Sequence, residues 1–361
     1  MSEQERPRRR KAVLFIVASG FLVVGVGVLI AKAARFADVL DELRSADARW
    51  FPVLLGGEVL AFLGYAMAYR GTARVNGGPR FSFPLTIRLV ATSQGGVAVG
   101  MGVGGLAVDY WALRRAGEEH NVAVARVLAF NTLEWAVLGA AATAAAALEL
   151  TGVGRGAPWE LELAWIVAVP ACYVAAAFVT QPCRIERLTR MEGRGRIGTT
   201  FATAIAGVAI VRHILRRPVS HGEAVGGAAL YWTGLMLALW GGLHAFGHAL
   251  GITGIVLGFA TGYAATMLPL PAGGAGSIDA AMTFALNLVG VPLAPALVGV
   301  VAYRFFTFWL PLIPALLAGV TLKSLRERLP EVPHPGGDAR LASFSEERWH
   351  EAPPARARSR P

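Results

Sequence analysis

An all-α polytopic integral membrane protein is the fold class that the sequence predicts, and three observations lead there. The 361 residues are 55% hydrophobic and only 16% charged, against roughly 25% charged residues in soluble domains. Residues 12–31 (AVLFIVASGFLVVGVGVLIA) carry no charge, and about 20 apolar residues in a helix span a hydrocarbon core about 30 Å thick. Similar strongly apolar runs recur at 50–69, 135–149, 161–180, 224–247, 249–268 and 296–322. A transmembrane β-barrel would instead show short segments of alternating hydrophobicity.

The first run has the basic start and small-residue end of a signal peptide, whose apolar region is usually about 7–15 residues long. This run is longer and other apolar runs follow it, so it reads as a retained helix. The net charge of +10 could suggest a nucleic-acid partner, but its distribution points to the membrane. Basic residues cluster at Arg6–Arg10, at Arg184–Arg217 and at Lys323–Arg328. This is the positive-inside pattern, and it places those regions in the cytoplasm. The expectation is a multi-pass protein of the inner (cytoplasmic) cell membrane with both termini cytoplasmic. Its basic face suits anionic lipid headgroups. Cys172 and Cys183 form neither a disulfide framework nor a metal-ligand set.

Termini on one side require an even number of crossings. The stretch 81–112, rich in glycine and carrying Pro84, Arg88, Gln94 and Asp109, has basic residues on both flanks. It reads as a re-entrant hairpin from the cytoplasmic side, a backbone tolerated only where protein or a wet cavity surrounds it. Residues 249–292 read as a second hairpin from the opposite side. The result is about six full transmembrane helices plus two glycine-rich re-entrant hairpins; eight or more crossings result if the hairpin arms span. Gly104, Gly105 and Asp109 in the first hairpin echo Gly273, Gly274 and Asp279 in the second. Inverted repeats with paired broken segments mark the central site of a transporter, whereas small-residue packing interfaces would explain the glycines alone. The domain reading is a basic N-terminus over 1–11, a membrane domain over 12–322 and a disordered cytoplasmic tail over 323–361. A basic cytoplasmic loop over 181–222, with a surface helix over 199–215, interrupts the membrane domain.

Two formal motifs are set aside. GMGVGG at 100–105 matches a dinucleotide fingerprint but lacks the βαβ context that the chemistry needs. His244 and His248 have zinc-pair spacing without further ligands. The segment LPLPAGGAGSIDAAM (268–282) is more specific. Pro269 and Pro271 stop the preceding helix. Gly273, Gly274 and Gly276 permit a tight turn and close approach of a ligand to the main chain. Ser277 suits the N-cap of a new helix, whose free N–H groups and positive end fit a phosphate. Asp279 serves equally as a stabiliser of its own helix start. Each lone charge at bilayer centre costs about 2.5–3.5 kcal/mol, so Asp279 and Arg304 are expected to pair. Arg126 and Glu134, about two turns apart on one helix face, should meet each other or a polar cavity; a snorkelling Arg126 is the alternative.

These residues resemble the flippase-like membrane family that includes the membrane region of lysylphosphatidylglycerol synthases, over roughly 12–322. LPLPAGGAGSIDAAM is similar to that family's Pro-x-Gly-Gly-x-Gly followed by an acidic residue, and VAYRFFTFWLP (301–311) to its Tyr-Arg and closing Leu-Pro. GGLAVDYWALRRAG is similar to its first Gly-Gly segment. This chain departs from the family at Gly102-Val103, where a proline is frequent, and in FNTLEW, which keeps only Glu134 of an acidic–Arg pair. The resemblance implies translocation of a phospholipid or lipid-linked glycan between leaflets, without cofactor or enzymatic chemistry. The aminoacyl-transferase domain of full-length synthases has no counterpart here, so the chain is not expected to make that lipid. The expected substrate contacts are Gly104, Gly105, Asp109, Arg126, Glu134, Pro271, Gly273, Gly274, Gly276, Ser277, Asp279 and Arg304. Alternatives are an intramembrane lipid-modifying enzyme, or a noncatalytic subunit of an envelope glycan assembly. The partners are an anionic or lipid-linked substrate and the membrane, with no nucleic acid; a homo-oligomer stays open.

Overall fold

A computed structural model of the chain describes residues 36–99, 104–152, 154, 157–181, 184–185, 195–267 and 277–311. The first apolar run, the proline–glycine stretch 268–276 and the C-terminal tail lie outside them. Every regular element among the described residues is helical. In chain order they form α1 (Phe36–Arg44), α2 (Phe51–Ala73), α3 (Phe83–Val99), α4 (Gly104–Arg115), α5 (His120–Leu150) and α6 (Trp159–Val179). There follow α7 (Arg196–Arg216), α8 (Gly222–Ala245), α9 (Ile252–Ala264), α10 (Ser277–Leu288) and α11 (Leu293–Arg304), the last running into a π-helical turn at Phe305–Trp309. Among the described residues five stretches are long and apolar enough to cross a membrane: Ala48–Ala73, His120–Leu150, Trp159–Val179, Ile197–Arg216 and Gly222–Ala245.

At the centre α2 and α8 run antiparallel with their backbones in contact. Gly57, Ala61, Gly64, Ala68 and Gly71 recur every three or four residues and face Gly234, Gly227 and Ala224 on α8. A Cβ added at Gly57 would lie 2.6 Å from the Gly234 carbonyl oxygen, and one at Gly64 2.7 Å from that of Gly227. Small residues at this spacing are what allow such an approach, because helix association in lipid rests on close packing. One end of the seam is closed by Glu223, which pairs with Arg70 and with Arg74 (2.5 Å). The other is closed by rings: Trp50 lies edge-on to Trp240 at 5.2 Å and against His244 at 4.6 Å.

Each seam helix leads into the same succession of elements. α2 is followed by the helix pair α3–α4 and then α5; α8 is followed by the pair α9–α10 and then α11. The first four helices start at 51, 83, 104 and 120, and the second four at 222, 252, 277 and 293, a nearly constant offset. Because α2 and α8 are antiparallel, the two helix pairs enter the bundle from opposite ends. Near the α3–α4 entrance, Arg126 of α5 meets the turn after α2. Near the α9–α10 entrance, Ala245 and Phe246 pack with Ala294 and Leu297. The arms α4, α9 and α10, of 12, 13 and 12 residues, fall short of the roughly 20 needed to span.

The segment read as a cytoplasmic loop differs from expectation. In place of a surface helix over 199–215, α7 lies along α5 and buries Ala202, Ala206, Ile210 and Ile214, while Ile197 and Phe201 are exposed. It is apolar on both faces, as a helix between protein and lipid must be; the arginines at its ends suggested a soluble loop. α6 is the most peripheral span and exposes Trp159, Leu163, Val167, Val174 and Phe178, a face suited to lipid.

The arrangement carries a labelling prediction. With Cys172 and Cys183 replaced, single cysteines at the exposed positions Arg80 and Glu119 should react with an impermeant thiol reagent from one face of the membrane. A cysteine at Leu293 should react from the other. Opposite-side labelling of Arg80 and Glu119 would break the hairpin reading of α3–α4.

Candidate functional site

A buried and a partly buried cluster of charge flank the α2–α8 seam, one for each helix pair. In the first, α4 opens with Gly104 and Gly105 and carries Asp109, which is fully buried. Tyr65 and Tyr69, one turn apart on α2, both reach it: the Tyr65 hydroxyl donates to Asp109 Oδ2 at 2.9 Å, and the Tyr69 hydroxyl to its main-chain oxygen at 3.0 Å. Ser93 of α3 faces the same carboxylate. Glu134 of α5 is 5% exposed, and among the described residues its Oε1 has no hydrogen-bond partner. Its main-chain oxygen accepts the Trp232 indole N–H at 2.7 Å. Asp109, Tyr65, Tyr231 and Tyr263 are within electrostatic reach of the Glu134 side chain.

In the second cluster Ser277 is the first residue of α10 and Asp279 lies in its first turn. Asp279 Oδ1 contacts Arg304 Nε at 2.6 Å, joining α10 to the end of α11, as the cost of lone charges led us to expect. The guanidinium also sits 4.9 Å from the Phe308 ring centroid, inside the π-helical turn. Such turns recur at functional sites because the extra residue re-aims neighbouring side chains. Pro271, Gly273, Gly274 and Gly276 lie outside the described residues, immediately before this helix start.

The expected meeting of Arg126 and Glu134 does not form. Arg126 Nε lies 3.3 Å from Glu118, and Nη1 donates to the Val75 carbonyl at 2.7 Å. Residues two turns apart are about 12 Å apart along the axis, whereas Glu118 sits just before the same helix. Arg126 thus ties the turn after α2 to the start of α5, and Glu134 faces the aromatic interior. His244 and His248 also act locally: His244 Nδ1 meets the Trp240 carbonyl at 3.0 Å, and His248 Nε2 lies 3.5 Å from Glu42. Among the described residues no three His, Cys, Asp or Glu converge as a metal site.

The aromatic residues connect the two clusters, and the sequence reading had not singled them out. Tyr65 packs on Tyr231 (5.7 Å), Tyr231 on Trp232 (4.7 Å), Trp232 on Tyr263 (5.0 Å), Tyr263 on Phe259 (5.5 Å) and Phe259 on Tyr303 (6.2 Å), beside Arg304. Glu58, buried on α2, lies within electrostatic reach of Tyr303. A carboxylate inside the run VLLGGEVLAFL was the available signal for it. Glu149, near the end of α5, accepts from the Thr253 hydroxyl at 2.5 Å and ties α5 to α9.

The molecule therefore has glycine-led helix starts on both sides of a seam, an acidic pair at one and an ion pair at the other. A comparison with curated proteins finds no match. A comparison with protein families matches residues 15–315 to the family described as lysylphosphatidylglycerol synthase TM region. That match covers both helix pairs, the seam and both charge clusters, and the chain belongs to this family.

Proposed function

We propose that the protein moves a phospholipid or lipid-linked glycan between membrane leaflets, with the headgroup phosphate held at the glycine-led starts of α4 and α10. The observation that carries this reading is the pair of broken helices entering the bundle from opposite ends of an antiparallel seam. Broken helices in inverted repeats place main-chain N–H groups and helix dipoles at mid-membrane, where an anionic group can be held. In this reading α3–α4 and α9–α10 are re-entrant. Arg304 is the exchangeable cation: a phosphate arriving at the start of α10 competes with Asp279 for the guanidinium. Asp109 and Glu134 lie at the other helix pair, and the protein performs no covalent chemistry on its substrate.

Gly274→Val tests the reading. In liposomes holding the purified protein and fluorescent lipid, an impermeant quencher should reach inner-leaflet lipid with the parental protein and fail to do so with the variant. A Cβ at a tight glycine turn blocks close approach of phosphate to the main chain. Equal amounts of inserted protein and equal rates of lipid crossing would make the loop a packing element. Recovery of a chemically new lipid would favour an enzyme.

A further inference from the structure

Asp109 and Glu134 share a setting that translocation of a headgroup does not by itself explain. Both are buried, from adjacent helices, within electrostatic reach of each other. The buried Arg126 is engaged with Glu118, and the partly buried Arg304 with Asp279. The other polar groups facing the pair are Tyr65 and Tyr69 from α2, Ser93 from α3, Tyr231 from α8 and Tyr263 from α9. Two carboxyls within electrostatic reach of each other in a low-dielectric site, with no cation paired to either among the described residues, do not both ionise readily, and one of them keeps a proton.

We propose that Asp109 and Glu134 form a proton-binding site, with Tyr65 orienting Asp109 and Glu134 Oε1 as the position that takes and releases the proton. The bond made is O–H on one carboxyl; the same bond breaks on release, and no other group changes. A metal cation fits the site less well, because hard cations need several oxygen ligands. The main-chain oxygens of Asp109 and Glu134 already accept from Tyr69 and Trp232, and the remaining walls are phenol hydroxyls, rings and the Ser93 hydroxyl. In the translocator reading, which this inference rests on for its use, the proton is the coupling ion.

Infrared difference spectra of the purified full-length protein test the site without a transport assay. At neutral pH the parental protein should show a protonated-carboxyl C=O band that disappears on alkaline titration. That band should change in both Glu134→Gln and Asp109→Asn: each variant loses the contribution of the removed carboxyl, and the remaining one, still out of water, gives a smaller band at a shifted frequency. Tyr65→Phe, which keeps both carboxyls, should shift the band, and this variant decides the matter if the other two do not fold. Exchange of potassium for sodium should leave the spectrum unchanged. A band unchanged in both carboxyl variants, a Tyr65→Phe spectrum identical to the parent, or a band removed by sodium would each overturn the proposal. In liposomes a pH gradient should change the rate of lipid crossing. The band without any lipid crossing would sink the translocator reading and leave the proton site, whereas crossing without the band would do the reverse.

Discussion

Replacing Gly64 or Gly227 by alanine should destabilise the protein by about 2–3 kcal/mol each, the upper part of the range for overpacking a closed interior. A single methyl at either position enters the backbone of the facing helix, which has no flexible side chain to move aside. Gly56 and Gly226 are controls on the same two helices, each one residue from a seam position. Nothing lies within 4 Å of a Cβ built on either. Alanine there should be neutral or stabilising by up to about 1 kcal/mol, because glycine weakens a helix interior. Thermal unfolding in detergent, followed by near-ultraviolet circular dichroism, compares the four variants. Equal effects at seam and control positions would mean that helix propensity, rather than close packing, governs these glycines.

Asp279→Asn and Arg304→Gln should each destabilise by about 3 kcal/mol, the lower end of the range for breaking a buried ion pair; both side chains keep some exposure, 14% and 16%. The double variant should lose less than the sum, because removing one partner strands the other charge and removing both does not. Unfolding midpoints of the four proteins give the coupling directly. Strict additivity would mean that the contact contributes nothing beyond each residue alone, and Asp279 would then act only on its own helix start. The same cycle followed by lipid crossing bears on Arg304 as the exchangeable cation: transport should fall further than stability in Arg304→Gln.

That pair was legible in the sequence because the membrane makes lone charges expensive, and two of opposite sign in neighbouring segments have few other solutions. The helix pairs were legible for a related reason: glycine clusters and prolines inside apolar runs leave no continuous span. The same logic misassigned Arg126, where the nearest acceptors, Glu118 and the Val75 carbonyl, lie outside the apolar run and carry no periodic signal. It also missed Glu58, concealed in an otherwise apolar stretch. α7 was obscured by its flanking arginines, which suggested a soluble loop although Ala202, Ala206, Ile210 and Ile214 recur at helical spacing. The tyrosine and tryptophan path between the two clusters had no sequence signature, because its members come from α2, α8, α9 and α11 and meet only once the seam has closed.

That seam also imposes an order on biosynthesis. α2 is complete at Ala73 and its partner begins at Gly222, so α3 to α7 all leave the ribosome between the two halves of the central contact. Contacts between distant segments form late, after the chain between them has been made. Until then the glycine face of α2 has only lipid or transient neighbours against it, and Glu58 waits in the bilayer without its final surroundings. The innermost contact of the bundle thus becomes available only after the first unit, whose core around Tyr69, Leu89, Leu113 and Phe130 comes mostly from its own helices and α7, has been made.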